Sequence, residues 1–213
     1  FVEFVNNVAK TIIKDNPADL AALNDLHCEG TDMTVAEALR DKILTIGENM
    51  NIRRFVRLEG NLYSYVHGGG KIGVLVKFDT DCAGKDGYEA CAKDVAMQIA
   101  AATPIYLKKE DVPADVLEKE KEILKVQAMN EGKPAAIAEK MVMGRISKYY
   151  KENCLLEQPF VKDEDLTVAQ YVANTAKELG GKLEVVQFVR FEKGEGMEKR
   201  VDNFADEVAS MVK

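Results

Sequence analysis

The run that most invites a chemical reading is Gly68-Gly69-Gly70-Lys71, because glycine backbone beside a lysine is how phosphate loops hold an anion. Its spacing fails that reading. A phosphate loop needs GxxxxGK[ST] at the opening of a helix, whereas Ile72 stands here in place of the hydroxyl and a β-rich run follows. The amide cradle and the magnesium ligand therefore have no source. Two histidines, His27 and His67, and four cysteines without a CxxC pair, Cys28, Cys82, Cys91 and Cys154, give no zinc-ligand spacing. The thiols read as the reduced thiols of a cytosolic protein. No serine or cysteine has a base in a recognisable motif, and the carboxylates scatter over helix faces instead of pairing. Gly194-Glu195-Gly196 reads as a turn and not as a dinucleotide fingerprint. The residues offer no catalytic constellation, no metal site and no cofactor site, so the expectation is a protein that is not an enzyme.

What remains is surface. Ile46-Gly47 ends a helix with an apolar residue beside a sharp turn, and Arg53-Arg54 begins a β-rich run. His67 stands at a hairpin tip, either as a plain turn residue or as a contact residue. Gln158-Pro159-Phe160-Val161 reads as an extended segment in which Phe160 or Val161 packs. Local physics gives each an adequate structural account.

The elements that position these residues come from an internal repeat. Thr34-Val35-Ala36-Glu37 recurs as Thr167-Val168-Ala169-Gln170, Ile46-Gly47 as Leu179-Gly180, and Phe55-Val56-Arg57 as Phe188-Val189-Arg190, all at one separation of 133 residues. Each copy opens on a capping box, Thr34 with Glu37 and Thr167 with Gln170. Apolar residues then follow helical spacing, Val35, Ala38, Leu39, Ile43 and Ile46 against Val168, Tyr171, Val172, Ala176 and Leu179. Gly47 and Gly180 stop the helices, since glycine tolerates the left-handed conformation past a helix end. A strand is expected next in each copy, over 52–59 and over 185–192. Amphipathic helices over about 1–14 and 88–102 extend the correspondence, the second stopped near Thr103-Pro104.

The second copy is longer by the 46 residues of 113–158, which read as two charged helices broken at Glu131-Gly132-Lys133, with Pro134 in the first turn of the second. Narrow apolar faces and a short link predict an antiparallel coiled-coil hairpin. Lysines alternating with glutamates along it read as a solvated face, which disfavours a nucleic-acid-binding helix pair. Two β-rich runs, 62–67 and 71–78, flank the three glycines and read as a β-hairpin. Repeat logic places an equivalent hairpin ahead of Phe1.

Bulk properties narrow the partners. A net charge of −7 and a pI near 5.1 disfavour direct nucleic-acid binding. No segment reaches the ~20 apolar residues of a membrane span, and no signal peptide opens the chain at Phe1. A cytoplasmic protein is expected, with no membrane and no small-molecule substrate.

Taken together, Ile46-Gly47-Glu48-Asn49-Met50-Asn51-Ile52-Arg53-Arg54, Ser64-Tyr65-Val66-His67-Gly68, Ile72-Gly73-Val74-Leu75-Val76, Gly132-Lys133-Pro134 with Ile137-Ala138-Glu139-Lys140-Met141-Val142, Gln158-Pro159-Phe160-Val161 and Phe188-Val189-Arg190-Phe191 resemble translation elongation factor Ts. That family is the bacterial nucleotide-exchange factor for elongation factor Tu. The resemblance implies an α+β fold of two related subdomains with small antiparallel sheets and packed helices, an inserted coiled-coil hairpin and a C-terminal helix. It implies that Ile46, Gly47, His67 and Val161 face Tu, with a helix around Val201–Met211 also touching it. Lys162 follows Val161 where some members carry an apolar residue, so contact there is in doubt. The family's N-terminal helical domain and Thr-Asp-Phe-Val segment have no counterpart after Phe1, and a chain without them is expected to bind Tu while exchanging nucleotide less well. The expected organisation is 1–61 as a first core subdomain, 62–112 with 159–192 as a second, 113–158 as the hairpin and 193–213 as a C-terminal helical module. The rival reading is an interaction module that acts through its hairpin alone.

Overall fold

Local sequence signals settle most of the helices. The computed structural model describes residues 1–130, 132 and 135–197, and divides the chain into a unit Phe1–Glu59 and a second that begins at Gly60. The expected first turn at Pro134 and the expected helix Val201–Met211 of the C-terminal module lie outside the described residues. Residues 193–196 form a turn.

The first unit consists of α1 (Val2–Asp15), α2 (Leu20–Asp25) and α3 (Val35–Ile46). The short α2 escapes an apolar-period reading, but Asp19 caps it, accepting from the Ala22 amide at 2.8 Å. At the head of α3 the capping box forms, with Thr34 Oγ1 accepting from Glu37 N (3.2 Å) and Glu37 Oε2 accepting from Thr34 N (2.9 Å). Phe4, Val8 and Ile12 of α1 meet Leu23, Cys28, Val35 and Ala38 in one small core. Partly buried Ile52 and Phe55 close over it.

The expected strand over 52–59 does not form; those residues adopt no regular ladder. Ile52 and Phe55 pack inward three positions apart, which is not the period of two that a strand imposes. A β-rich composition makes a strand only when another backbone supplies donors and acceptors. The described residues of this unit contain no other strand to do so.

In the second unit that partner is present. Strands β1 (Asn61–His67) and β2 (Ile72–Thr80) form the glycine-linked hairpin, in register from Asn61↔Phe78 to His67↔Ile72. Gly68, Gly69 and Gly70 all take positive φ, which explains the triple glycine as a turn requirement. After α4 (Tyr88–Ala102) come α5 (Ala114–Asn130) and α6 (Ala135–Asn153), which pack on each other; Arg145 Nη1 donates to Gln127 Oε1 at 3.0 Å. A two-stranded ribbon follows, β3 (Pro159–Phe160) with β4 (Asp163–Thr167), then α7 (Val168–Leu179) and β5 (Leu183–Glu192). The main sheet runs β1-β2-β5, antiparallel, with a bulge at Lys77/Phe78.

Helices α4 and α7 cover this sheet. Val74, Val76, Phe78, Leu183 and Val185 meet Cys91, Val95, Ile99, Val168 and Val172. At full burial each large side chain contributes ~1.5–3 kcal/mol. The same core takes in Leu155, completely buried, and Leu156. Leu155 and Leu156 thus pack with the sheet and its helices. The reason is backbone pairing at the root of the helix pair, where Leu155 N donates to Tyr106 O (2.9 Å) and Leu156 N to Leu107 O (3.0 Å).

All four cysteines are free and buried. Burial pushes the thiols of Cys28 and Cys91 up, and that of Cys154 up to about 11. A raised folded value means that the folded chain holds more protons once pH exceeds the unfolded thiol value of ~8.5. This contribution to stability is complete below that point and is lost as pH climbs through the folded value. Ellman's reagent at about pH 8 is therefore expected to leave these thiols unmodified in the native chain and to modify them once denaturant is added. Rapid modification of the native chain would contradict this burial.

Candidate protein-binding site

Each of the four surface positions is presented by a fixed local frame. In the first unit, α3 ends as its glycine stop demands. Gly47 takes φ 78°, and its amide donates to Ile43 O at 2.8 Å. The space where a Cβ would stand on Gly47 is open, so bare backbone faces outward. Ile46 beside it is 41% exposed, a β-branched apolar side chain at the rim of a turn.

The other positions belong to the second unit. His67 ends β1, exposed, and Lys71 N donates back to its carbonyl at 3.1 Å across the glycine turn. Tyr65, two residues earlier on the same sheet face, lies 2.9 Å from His67 Nδ1 through its hydroxyl, with ring centroids 5.8 Å apart. This contact engages Nδ1 and leaves Nε2 as the ring nitrogen available for a partner. Sequence reasoning passed over Tyr65, although residues i and i+2 on a strand always share a face.

At the β3–β4 turn the structure decides which residue packs. Phe160 goes inward and stacks on Tyr171 at a centroid distance of 4.1 Å, while Val161 turns outward, 48% exposed. Lys162 does not extend this apolar point. Its Nζ pairs with Asp94 Oδ1 at 2.6 Å, and Asp94 Oδ2 accepts from the Tyr171 hydroxyl at 3.0 Å. Burial holds the Tyr171 phenol well above its ordinary value, with Cys91 and Asp94 adding to the shift, so it stays a neutral donor. Gln98 also holds the turn, accepting from Val161 N at 2.8 Å. It lies in the buried stripe of α4, three residues from Val95, a position where a polar side chain is itself a signal.

Among the described residues no group of His, Cys, Asp and Glu could hold a metal ion, and no helix is long and apolar enough to cross a membrane. Ile46 in the first unit and Val161 in the second each stand as an exposed apolar side chain at a turn.

Comparison with known proteins fixes the family. The model of the family described as elongation factor TS matches residues 1–195. The chain belongs to this family. It is 50% identical to elongation factor Ts of Syntrophotalea carbinolica over 216 aligned residues, covering 100% of this chain and 71% of that protein. It is also 50% identical to elongation factor Ts of Clostridium kluyveri, with 100% and 70% covered. For a Clostridium botulinum elongation factor Ts the identity is 49%, again with 100% and 70% covered. The chain's own architecture is α+β with small antiparallel sheets.

Proposed function

We propose that this chain releases guanine nucleotide from elongation factor Tu by holding Tu in its nucleotide-free state, with Ile46 and Gly47 as contacts on the first unit and His67 and Val161 as contacts on the second. The chain is a nucleotide-exchange factor of translation elongation, the role its family carries, and it works in the cytoplasm. No bond needs to be made or broken. A protein that prefers nucleotide-free Tu weakens GDP binding by the same factor by which GDP weakens its own, because coupling between two ligands is reciprocal. The observation that carries this reading is the β3–β4 turn, where Phe160 is packed inward, Lys162 is paired with Asp94 and the Val161 amide is held by Gln98, while the valine side chain is left outward. An apolar residue already held outward can be covered by a partner at little cost in ordering the turn beneath it.

Helices α5 and α6 form an antiparallel coiled-coil hairpin projecting from the second unit, and they are dispensable for the Tu contact. Replacing 109–150 by a short Gly-Ser linker removes them while keeping the buried Leu155 and the paired root intact. Both chains are mixed with Tu loaded with fluorescent GDP, and complex formation and fluorescence decay are followed. Binding of both chains, with accelerated release by the intact one, is the expected result. No complex at micromolar concentrations for the intact chain would sink the proposal, and loss of binding by the linker variant alone would move the contact to the hairpin.

A further inference from the structure

We propose that Gln98 is a positioning residue for partner binding, its buried amide fixing the turn that presents Val161. The inference rests on the reading of Val161 as a Tu contact and goes beyond it by naming what sets that contact.

Helix α4 buries Cys91, Ala92, Val95, Ala96 and Ile99, and Gln98 falls inside that stripe with 0% of its surface exposed. A buried carboxamide must find partners for two N–H donors and one carbonyl oxygen. Gln98 spends all of them on one short segment. Its Nε2 donates to Gln158 Oε1 (3.1 Å) and to Pro159 O (3.2 Å), and its Oε1 accepts from Val161 N (2.8 Å). One side chain therefore spans the turn from Gln158 to Val161. With Phe160 clamped inward on Tyr171, the backbone on both sides of it is held, and Val161 has one direction left.

Gln158, 3% exposed, anchors this arrangement in turn. Its Nε2 donates to Ala102 O (3.3 Å) at the end of α4 and to Glu152 O (2.9 Å) near the end of α6. Its backbone carbonyl accepts from Val168 N (3.0 Å) at the start of α7. The two glutamines thus join three helix ends to the Val161 turn. A methionine at 98 would fill the same volume without desolvating an amide, so packing alone does not call for glutamine. A fully satisfied polar network in a core instead selects one arrangement of the backbone it touches.

The test is a double-substitution cycle on Kd for nucleotide-free Tu, with Gln98→Met and Val161→Ala made singly and together, and thermal unfolding recorded for each. Each single change is expected to weaken binding about tenfold, and the double variant to stay within about threefold of Val161→Ala alone, because positioning means little once the positioned methyls are gone. Additive losses, approaching a hundredfold, would make Gln98 a purely structural residue and overturn the proposal. A Kd unchanged by Val161→Ala would instead remove the contact on which the inference rests, whereas an unchanged Kd for Gln98→Met alone would remove only the positioning role. Should Gln98→Met fail to fold, Gln98→Asn runs the same cycle, being polar but too short to reach the Val161 amide. Hydrogen exchange on the unaltered chain gives a further check: the Val161 amide is expected to be protected although its side chain is exposed, and free exchange there would overturn the proposal.

Discussion

Gly181→Ala is expected to lower the stability of the chain by about 3 kcal/mol and its thermal midpoint by about 6–12 °C. A Cβ at this position would lie far inside contact distance of both Asp81 Oδ1 and Cys82 Sγ, with Lys85 Nζ at 3.1 Å. Neither of the first two can withdraw cheaply. Cys82 is completely buried, and Asp81 Oδ1 already accepts from Lys182 N at 2.7 Å and from Cys82 Sγ at 3.4 Å. Those same two donors, the Lys182 amide foremost, hold the Asp81 carboxyl below its ordinary value. The end of β2 thus crosses the α7–β5 turn so closely that only glycine fits. Scanning calorimetry of the variant checks the prediction, and an unchanged midpoint would refute the crossing. Cys82→Ala in the same chain should cost less beside Gly181→Ala than alone, because it removes one of the two clashing atoms.

The same position shows how much of the fold the sequence carries. Residue 181 corresponds to Glu48 in the first copy, one place after the glycine stops at 180 and 47. Both stops were legible because a glycine after a capped apolar run acts locally, and both occur with positive φ. The glycine at 181 carried no such signal, since its cause is Asp81 and Cys82, a hundred residues away. The segment 52–59 failed for the same reason in reverse. Its composition matches that of β5, but β5 is a strand because β2 lies beside it, and the first unit has no such neighbour among its described residues. The partners of Gln98 were not legible either, because they lie about 60 residues further along the chain, and the β3–β4 ribbon, with a first strand of two residues, is too short to leave a period of two. For the candidate site, motif resemblance singled out Ile46, Gly47, His67 and Val161, but not the frames that aim them. Tyr65 behind His67 follows from strand alternation and Gln98 stands out as a polar residue in an apolar stripe, whereas Asp94 and Tyr171 are brought to the Val161 turn only by the tertiary fold.

Ile46→Lys is expected to slow Tu-dependent nucleotide release at a fixed concentration of this chain by about thirtyfold or more, through weaker binding and with stability unchanged. The substitution separates interface from fold because of where Ile46 stands. It ends α3, where the helix dipole favours a cation, and it is already 41% exposed, so the lysine costs the free chain little. In a complex the same lysine must either be desolvated without a counter-charge or force the surfaces apart. Leu44 supplies the control. It is 84% exposed, more open than Ile46, and lies two positions earlier, which on a helix turns it to nearly the opposite side. If exposure of apolar surface were all that mattered, Leu44→Lys would hurt more; if one face of the helix end meets Tu, Leu44→Lys leaves release within about twofold of the unaltered chain. Equal losses for the two variants would show that the contact is not confined to the Ile46-Gly47 corner, and no loss for Ile46→Lys would remove that corner from the interface. The corner also explains why Gly47 belongs with Ile46. Any side chain there would meet open space in the free protein, so its cost to the free chain would come from the left-handed backbone alone, and any further loss of Tu binding would report a contact at this corner.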